Sequence, residues 1–510
     1  MAQLLATPGV YIEEKNVFTN SIVGIPTAIP AFIGYTENAF QNGQSLLFKP
    51  KRISSLSEYH IFFGTGFRSV YRVEQSNTLK QEYDFKIENI TYDIVPNGSR
   101  FIFYEAIRLF FANGGGTCYV TSVGSYYNNP GNEQISSGTV NAISKKAFEH
   151  AISMLVSEEE PTMLLIPEAI LLEEEDYYSL MQTILQHCGS KMKNRFALMD
   201  VFNGDISRSY DEKDIITRFR EGIGNNHLSY GASYYPYLNS SIVQNEEIDF
   251  RNISNIEELE RILLTEADNH MDRKKSEEVK TEIKKLTQSG IDPKNLTQTL
   301  KVISPTFKNI LSGLKMKMNV LPPSPAMAGI YSAIDASRGV WKAPANVSIN
   351  SVIGPTVKIT HDDQEDLNLT VTGKSINAIR SFIGEGTIVW GARTLDGNSQ
   401  DWRYINVRRT LIFIEQSIKH AVKPYVYEPN VAGTWILVKS MITSFLNDLW
   451  KAGGLVGNNP EDAYIVDVGL GTTMTPNDVL EGIMRITIKV AISRPAEFIV
   501  ITFQQKLQES

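Results

Sequence analysis

The residue types that most often do chemistry in proteins are thinly scattered over this sequence of 510 residues. Its histidines show neither HxH nor HxxxH spacing, the short spacings that bring two imidazoles to one metal ion. They are His60, His150, His187, His227, His270, His361 and His420. The spacing therefore predicts no metal centre.

Motifs for phosphate binding and for nucleophilic catalysis are also missing from the sequence. It contains neither GxxxxGK[ST] nor GxSxG, which mark phosphate loops and nucleophile elbows. The glycine-rich run 113–117 follows a predicted helix, whereas a dinucleotide-binding loop follows a strand and opens a helix. We therefore expect no cofactor and no catalytic residue. An α/β enzyme whose motif is not visible is kept as an alternative.

Charge and cysteine content restrict the partners and the compartment. The formal net charge is −8 and the lysines and arginines form no basic stripe, so we expect no nucleic-acid partner. The two cysteines, Cys118 and Cys188, lack CxxC spacing, which fits a reducing cytoplasm. The sequence shows no signal peptide and no membrane-spanning run, so we expect cytoplasmic assembly without membrane insertion.

The elements that would have to position any site follow an α/β pattern from about residue 98. Apolar periodicity predicts alternating helices and strands, which argues for a sheet with helices packed on it. The helices are predicted at 101–112, 145–155 and 177–188, and the strands at 117–123, 163–166 and 195–201. The expected fold class is mixed α/β.

Two later segments differ in composition. Residues 248–301 are dense in mixed charge, which predicts a solvated helical insertion at the surface. The proline-rich residues 322–325 resemble a linker. Beyond them, periodicity predicts helices at 403–422 and 435–449 and a half-buried strand at 486–493.

Both ends of the chain are predicted to be strands without a local partner. An isolated strand either frays or pairs with a distant segment of its own or another chain. The N-terminal strand comprises Pro8, Gly9, Val10, Tyr11, Ile12, Glu13 and Glu14. The C-terminal strand, apolar on both faces, comprises Phe498, Ile499, Val500, Ile501, Thr502 and Phe503.

Several long motifs resemble the contractile tail sheath proteins of phage tails and related injection systems. The N-terminal ones are TPGVYIEE at 7–14 and PAFIGYTE at 30–37. The C-terminal ones are PPSPAMAGIY at 322–331, RGVWKAPAN at 338–346, WGARTL at 390–395, WRYINVRR at 402–409 and RPAEFIV at 494–500. The resemblance covers roughly residues 1–40 and 320–510, and the segment 205–320 departs from it.

The resemblance implies a discontinuous domain organisation. Residues 1–20 would form a linker arm, and residues 21–40 and 345–510, with part of 95–125, the core sheath domain. Residues 126–344 would form an inserted outer α/β domain that carries the charged insertion 248–301. The terminal strands would complete sheets in neighbouring subunits, which is β-augmentation used as a permanent fastener.

The function implied by the resemblance is structural. Subunits would polymerise helically around an inner tube, alone or with paralogous sheath subunits, and contract to drive the tube through a target envelope. Baseplate and terminal cap proteins would be further partners. The particle is either an extracellular injection system, which the size of the chain favours, or a contractile-tailed phage virion.

One C-terminal helix is expected to face the inner tube, either 403–422 or 435–451. Contacts that must release during contraction are expected to be polar, with charges that set the register. The candidates are Lys419, Lys423, Lys439, Asp448 and Lys451.

Overall fold

The structure of the protein, a computed structural model, describes residues 22–76, 83–87, 90–127, 140–268 and 273–498. The strands in chain order are β1 Pro30–Thr36, β2 Phe40–Gln41, β3 Gln44–Ser45, β4 Lys51–Ile53, β5 Tyr71–Gln75, β6 Phe85–Ile87, β7 Ile90–Pro96, β8 Cys118–Ser125, β9 Met163–Leu165, β10 Phe196–Asp200, β11 Gly231–Tyr235, β12 Leu238–Ser240, β13 Val320–Leu321, β14 Val347–Ser348, β15 Val352–Pro355, β16 Asn377–Phe382, β17 Gly386–Val389, β18 Tyr464–Val468 and β19 Ile486–Val490.

The α-helices in chain order are α1 Leu56–Phe63, α2 Phe103–Ala112, α3 Lys145–Met154, α4 Glu174–Gln186, α5 Ile215–Gly222, α6 Ile256–Asp268, α7 Arg273–Ile283, α8 Pro293–Ile303, α9 Pro305–Met318, α10 Ser324–Arg338, α11 His361–Asn368, α12 Ile405–Val422, α13 Ala432–Lys451, α14 Pro460–Ala463 and α15 Pro476–Leu480. Among the described residues, every helix is too short or too polar to cross a lipid bilayer.

The largest sheet has nine strands in the order β14-β17-β16-β11-β10-β9-β1-β8-β4. Its middle strands, from β16 to β8, run parallel, and the outer strands β14, β17 and β4 pair antiparallel. All residues of β1 and β10 are buried, as expected for parallel strands covered on both faces. The predicted mixed α/β class is confirmed.

Helices cover both faces of this sheet. Alternate residues of β1 enter different apolar clusters: Ile33 packs with residues of α3 and α4, and Phe32 with residues of α2 and α10. The result is a three-layer arrangement of helix, sheet and helix. Every helix and strand predicted above, other than the terminal strands and the insertion, is present with ends within three residues of the predicted bounds.

The proline-rich residues 322–325 are not a linker, so that prediction is wrong. They lead into helix α10, and Ser324 and Pro325 are buried in its first turn. Proline fits this position because the first helical N–H groups have no partner within the helix. The backbone N–H and Oγ of Ser324 instead donate to the two carboxylate oxygens of Asp200, at 2.7 and 2.6 Å.

The charged segment 248–301 is helical, as predicted, but it is more than a solvated surface elaboration. Helices α6, α8 and α9 bury Leu263, Leu300 and Phe307 in a cluster that also holds Tyr71 and Ile94. Tyr71 and Ile94 belong to the three-stranded sheet β5-β7-β6. The insertion therefore has a hydrophobic core of its own, completed by strands from residues 71–96.

The described chain divides into two compact units. The smaller unit comprises residues 22–25 and 410–493, and the larger comprises 26–409 and 494–498. In the smaller unit α13 packs against β18, which pairs antiparallel with β19. Along β19 the residues alternate between half-buried and exposed, which confirms the half-buried strand predicted there.

The predicted domain boundaries at 126 and 344 do not coincide with an edge of the nine-stranded sheet. Strands β1, β8 and β16 come from the predicted core domain, whereas β9, β10 and β11 come from the predicted outer domain. The two parts share one sheet here. Their boundaries stay a prediction about how the domains act in an assembly.

Candidate assembly surfaces

Three of the sequence motifs meet at the carboxylate of Glu497 in the larger unit. Arg393 donates from Nε to Oε1 at 2.9 Å and from Nη2 to Oε2 at 2.7 Å. Asn368 Nδ2 donates to Oε1 at 2.8 Å and Tyr404 Oη to Oε2 at 3.0 Å. The residues 494–497 are therefore held to the larger unit immediately before the predicted C-terminal strand.

A buried ion pair joins the motif at 402–409 to helix α10. Arg409 donates from Nη1 and Nη2 to the carboxylate of Asp335 at 3.0 and 2.6 Å, and both side chains are less than 5% exposed, at 3% and 4%. The guanidinium also lies 4.6 Å from the centre of the Tyr331 ring and donates to the carbonyl of Thr27. Sequence reasoning singled out the motif that holds Arg409 but not its partner Asp335.

The hairpin β18–β19 offers open strand edges. Within the described residues its two strands form a sheet by themselves. Val466 on the face toward α13 is buried, whereas Ile486, Ile488 and Val490 remain partly exposed. An unpaired edge beside partly exposed apolar side chains is a template on which further strands can pair.

The predicted N-terminal arm residues, Pro8 to Glu14, lie outside the described residues. The structure describes the chain from residue 22 onward. Residues 22–25 belong to the smaller unit, where they contact α12. The Ile25 N–H donates to Ser417 Oγ at 3.2 Å. A Cβ on Gly24 would lie 2.9 Å from Phe413 Cζ, so the backbone approaches that ring closely.

Of the predicted C-terminal arm, only Phe498 is described. Its side chain is 67% exposed, and residues Ile499, Val500, Ile501, Thr502 and Phe503 lie outside the described residues. The pairing of both arms stays a prediction.

The five charges predicted to face a tube are all exposed. Lys439 and Asp448 are nine residues apart on α13, which is two and a half turns. They therefore lie on opposite flanks of that helix, and Ile436 and Leu437, 67% and 55% exposed, belong to its outward face.

The acids with the most perturbed pKa values lie in the core. Burial raises the pKa of Glu168 to about 8 and the pKa values of Glu105 and Asp200 to about 7. Glu168 accepts hydrogen bonds from the N–H groups of Tyr35, Ile102 and Phe103, so it joins β1 to the start of α2. A perturbed acid suggests catalysis when it faces a cleft, whereas the carboxylates of Glu168 and Asp200 accept hydrogen bonds from backbone N–H groups.

No group of three or more His, Cys, Asp or Glu residues among the described residues is arranged to hold a metal ion. Cys118 and Cys188 are free thiols buried in the larger unit, and burial raises the pKa of Cys188 to about 12.

Comparison with known proteins gives one family. The model of the phage tail sheath C-terminal domain matches residues 398–506. The tail sheath protein of Vibrio phage KVP40 is 24% identical over 168 residues, which are 33% of this chain and 25% of that protein. A putative prophage major tail sheath protein of Pseudomonas aeruginosa is 26% identical over 136 residues, 26% of this chain and 35% of that protein. The chain thus spans about a quarter to a third of the curated relatives it matches.

Two solved structures are similar over nearly the whole chain. The contracted sheath complex of PVC, an extracellular contractile injection system, shares 25% identity with a TM-score of 0.59 and covers 99% of both chains. The contracted helical sheath of the anti-feeding prophage shares 26% identity with a TM-score of 0.60 and covers 99% of this chain and 100% of that one. Residues 398–506 thus match the phage tail sheath C-terminal domain, and nearly the whole chain has the fold of contractile injection system sheaths.

Proposed function

We propose that the chain is a structural subunit that polymerises helically around an inner tube and contracts to drive that tube through a target envelope. One observation carries the proposal: the likeness to contracted sheath chains extends over 99% of this chain and 99–100% of theirs. The role is structural and not enzymatic. The particle is a phage-tail-like injection system, because both sheath structures described above belong to such systems.

The strand arms would connect the subunits. The hairpin β18–β19 has two edges to which residues 8–14 and 498–503 of neighbouring subunits can add. Each added strand makes several backbone hydrogen bonds, worth about 0.5–1.5 kcal/mol each. Over many copies these bonds keep the lattice connected while the globular interfaces break and re-form.

The energy for contraction would be stored in the lattice itself. The extended sheath is a metastable arrangement held by a kinetic barrier until a baseplate triggers it. Contraction is then a rigid-body rearrangement between two packings, with the strand arms as hinges. Baseplate, cap and inner tube proteins are the proposed partners, and assembly takes place in the cytoplasm before the particle is released.

Electron microscopy tests this function. Negatively stained preparations of the full chain, expressed with its neighbouring tube gene, should show rods or hollow helical tubes. A monodisperse monomer under all assembly conditions would contradict the proposal. A contractile-tailed virion, the alternative, would show the same sheath attached to a capsid.

A further inference from the structure

The chain changes compact unit just before it reaches the C-terminal arm. The smaller unit ends at Ser493, and Arg494 begins the return to the larger unit. The last described residue, Phe498, is exposed. Four residues, 494–497, thus lie between the unit boundary and the start of the predicted arm.

Glu497 is the residue of this short segment with the strongest attachment. Both of its carboxylate oxygens accept two hydrogen bonds each, from Arg393, Asn368 and Tyr404. Two of these bonds come from a single guanidinium in the side-by-side geometry that makes arginine–carboxylate pairs strong and directional. By contrast, Arg494 meets its partner Asp401 only at 3.8 Å, with side chains 53% and 79% exposed.

The groups that hold Glu497 are fixed in advance by their own contacts. Arg393 and Tyr404 lie opposite each other in an antiparallel bridge. The Arg393 side chain is 2% exposed, and its Nη1 donates to the carbonyls of Asn368 and Gly397 at 3.3 and 3.4 Å. Burial acts to raise the pKa of Glu497, but the hydrogen bonds from Arg393 and Asn368 hold that pKa below its usual range.

We propose that Glu497 anchors the C-terminal arm, so that tension along the arm is delivered to the larger unit and its nine-stranded sheet. This inference rests on the proposed function. The N-terminal arm is attached differently, because residues 22–25 belong to the smaller unit and contact α12 there. The two arms of one subunit therefore transmit load to two different units.

The test uses the full chain with Glu497→Gln, which keeps the size of the side chain and removes its charge. Backbone amides of 496–498 should exchange with deuterium about tenfold faster than in the unchanged protein, because charge-assisted bonds to the arm root are lost. Sheaths of this variant should assemble but break into short pieces under a fixed dose of sonication that leaves unchanged sheaths long.

Asp401→Asn is the matched control, since it removes a nearby exposed carboxylate of the same unit. It should leave both amide exchange and sheath length unchanged. If Glu497→Gln fails to fold, Tyr404→Phe removes one hydrogen bond to the same carboxylate and should give the same effects in weaker form. Exchange and sheath length equal to those of the unchanged protein in the folded variants would overturn the inference.

A truncation after Phe498 distinguishes a failure of the Glu497 anchor from a failure of the arm model. If the truncated chain forms no sheaths while Glu497→Gln sheaths resist sonication normally, the arm is needed and only the anchor is wrong. If the truncated chain forms normal, durable sheaths, the arm model fails and the anchor fails with it.

Discussion

At the scale of single residues, two ion pairs of the larger unit join segments that are far apart in sequence. The Arg393–Glu497 pair spans 104 residues and the Arg409–Asp335 pair spans 74. Charged groups that are buried must be paired, because an isolated buried charge is very costly. These pairs therefore fix how the motif segments meet.

The Arg409–Asp335 pair predicts a large effect on stability. Asp335→Asn leaves the buried guanidinium of Arg409 without its counter-charge, and we expect a loss of about 3–5 kcal/mol in the free energy of unfolding. Arg261→Ala breaks an exposed pair with Glu258, whose side chains are 59% and 30% exposed, and should cost less than about 1 kcal/mol. Urea unfolding of the monomer measures both, and equal shifts would refute the distinction.

Glu168 predicts a dependence of stability on pH. Its pKa is raised by burial from 4.5 to about 8, so folding favours the protonated carboxyl. The stability it contributes is complete below pH 4.5 and is lost as the pH rises through about 8. Within that window, one such proton gives a slope of about 1.4 kcal/mol per pH unit.

The variant Glu168→Gln isolates this contribution. It cannot titrate and keeps one acceptor oxygen, which can serve either Tyr35 or Ile102 and Phe103, because those N–H groups bond to different carboxylate oxygens. Unfolding measured from pH 5 to pH 9 should therefore show a shallower fall in stability than the unchanged protein shows. Glu105, whose pKa is raised to about 7, remains and accounts for part of the residual slope. An unaltered slope would show that Glu168 is ionised throughout.

At the scale of elements, periodicity in the sequence predicted several of the helices and strands that follow residue 98. The buried run of β10 and the apolar face of α13 were predicted because apolar residues repeat along them. Strands β5 and β7 were missed, although Tyr71 and Val73, and likewise Tyr92 and Ile94, alternate with polar residues. That alternation of apolar and polar residues is typical of half-buried strands and could have predicted both of them.

Contacts between residues that are far apart in sequence could not be predicted from the local sequence pattern. Nothing near Glu497 in the sequence indicates that Arg393 and Asn368 surround it, because the contacts depend on how the chain folds back. The same reason explains residues 322–325, where prolines that resemble a linker start a buried helix. Composition alone does not distinguish an exposed turn from a helix N-terminus packed against Asp200.

The terminal strands give a prediction at this scale. If the arms pair with neighbouring subunits, Ile12→Pro or Val500→Pro removes a backbone donor from such an intersubunit strand. We expect each variant to give a monomer with unchanged circular dichroism that no longer forms tubes. Ile12→Ala and Val500→Ala, which keep the donor, serve as controls and should assemble. Unfolding of the proline monomers would place the strands in the subunit's own sheet.

The exposed charges on α12, directly after it and on α13 give a second prediction at this scale. Reversing Lys419, Lys423, Lys439, Asp448 and Lys451 together should weaken copurification of the sheath with its tube protein, because charge complementarity sets the register of such contacts. Since Lys439 and Asp448 lie on opposite flanks of α13, the two single reversals should differ in effect. Unchanged copurification after all five reversals would exclude these helices as the tube contact. Reversal of exposed charges on α7 is the control.

At the scale of the whole molecule, the two compact units carry different attachments. Residues 22–25 tie the N-terminal segment to the smaller unit, and Glu497 ties the C-terminal segment to the larger one. A subunit that lends both segments to its neighbours would be attached to them through both units. Such a mesh can keep subunits connected while their globular surfaces exchange partners.

A helical reconstruction of the assembled sheath by electron cryo-microscopy would show directly how the subunits are connected. We expect each β18–β19 hairpin to be extended into a larger sheet by residues 8–14 and 498–503 of neighbouring subunits, around an inner tube. A sheath whose hairpin edges stay unpaired, or whose terminal strands fold back into their own subunit, would contradict it.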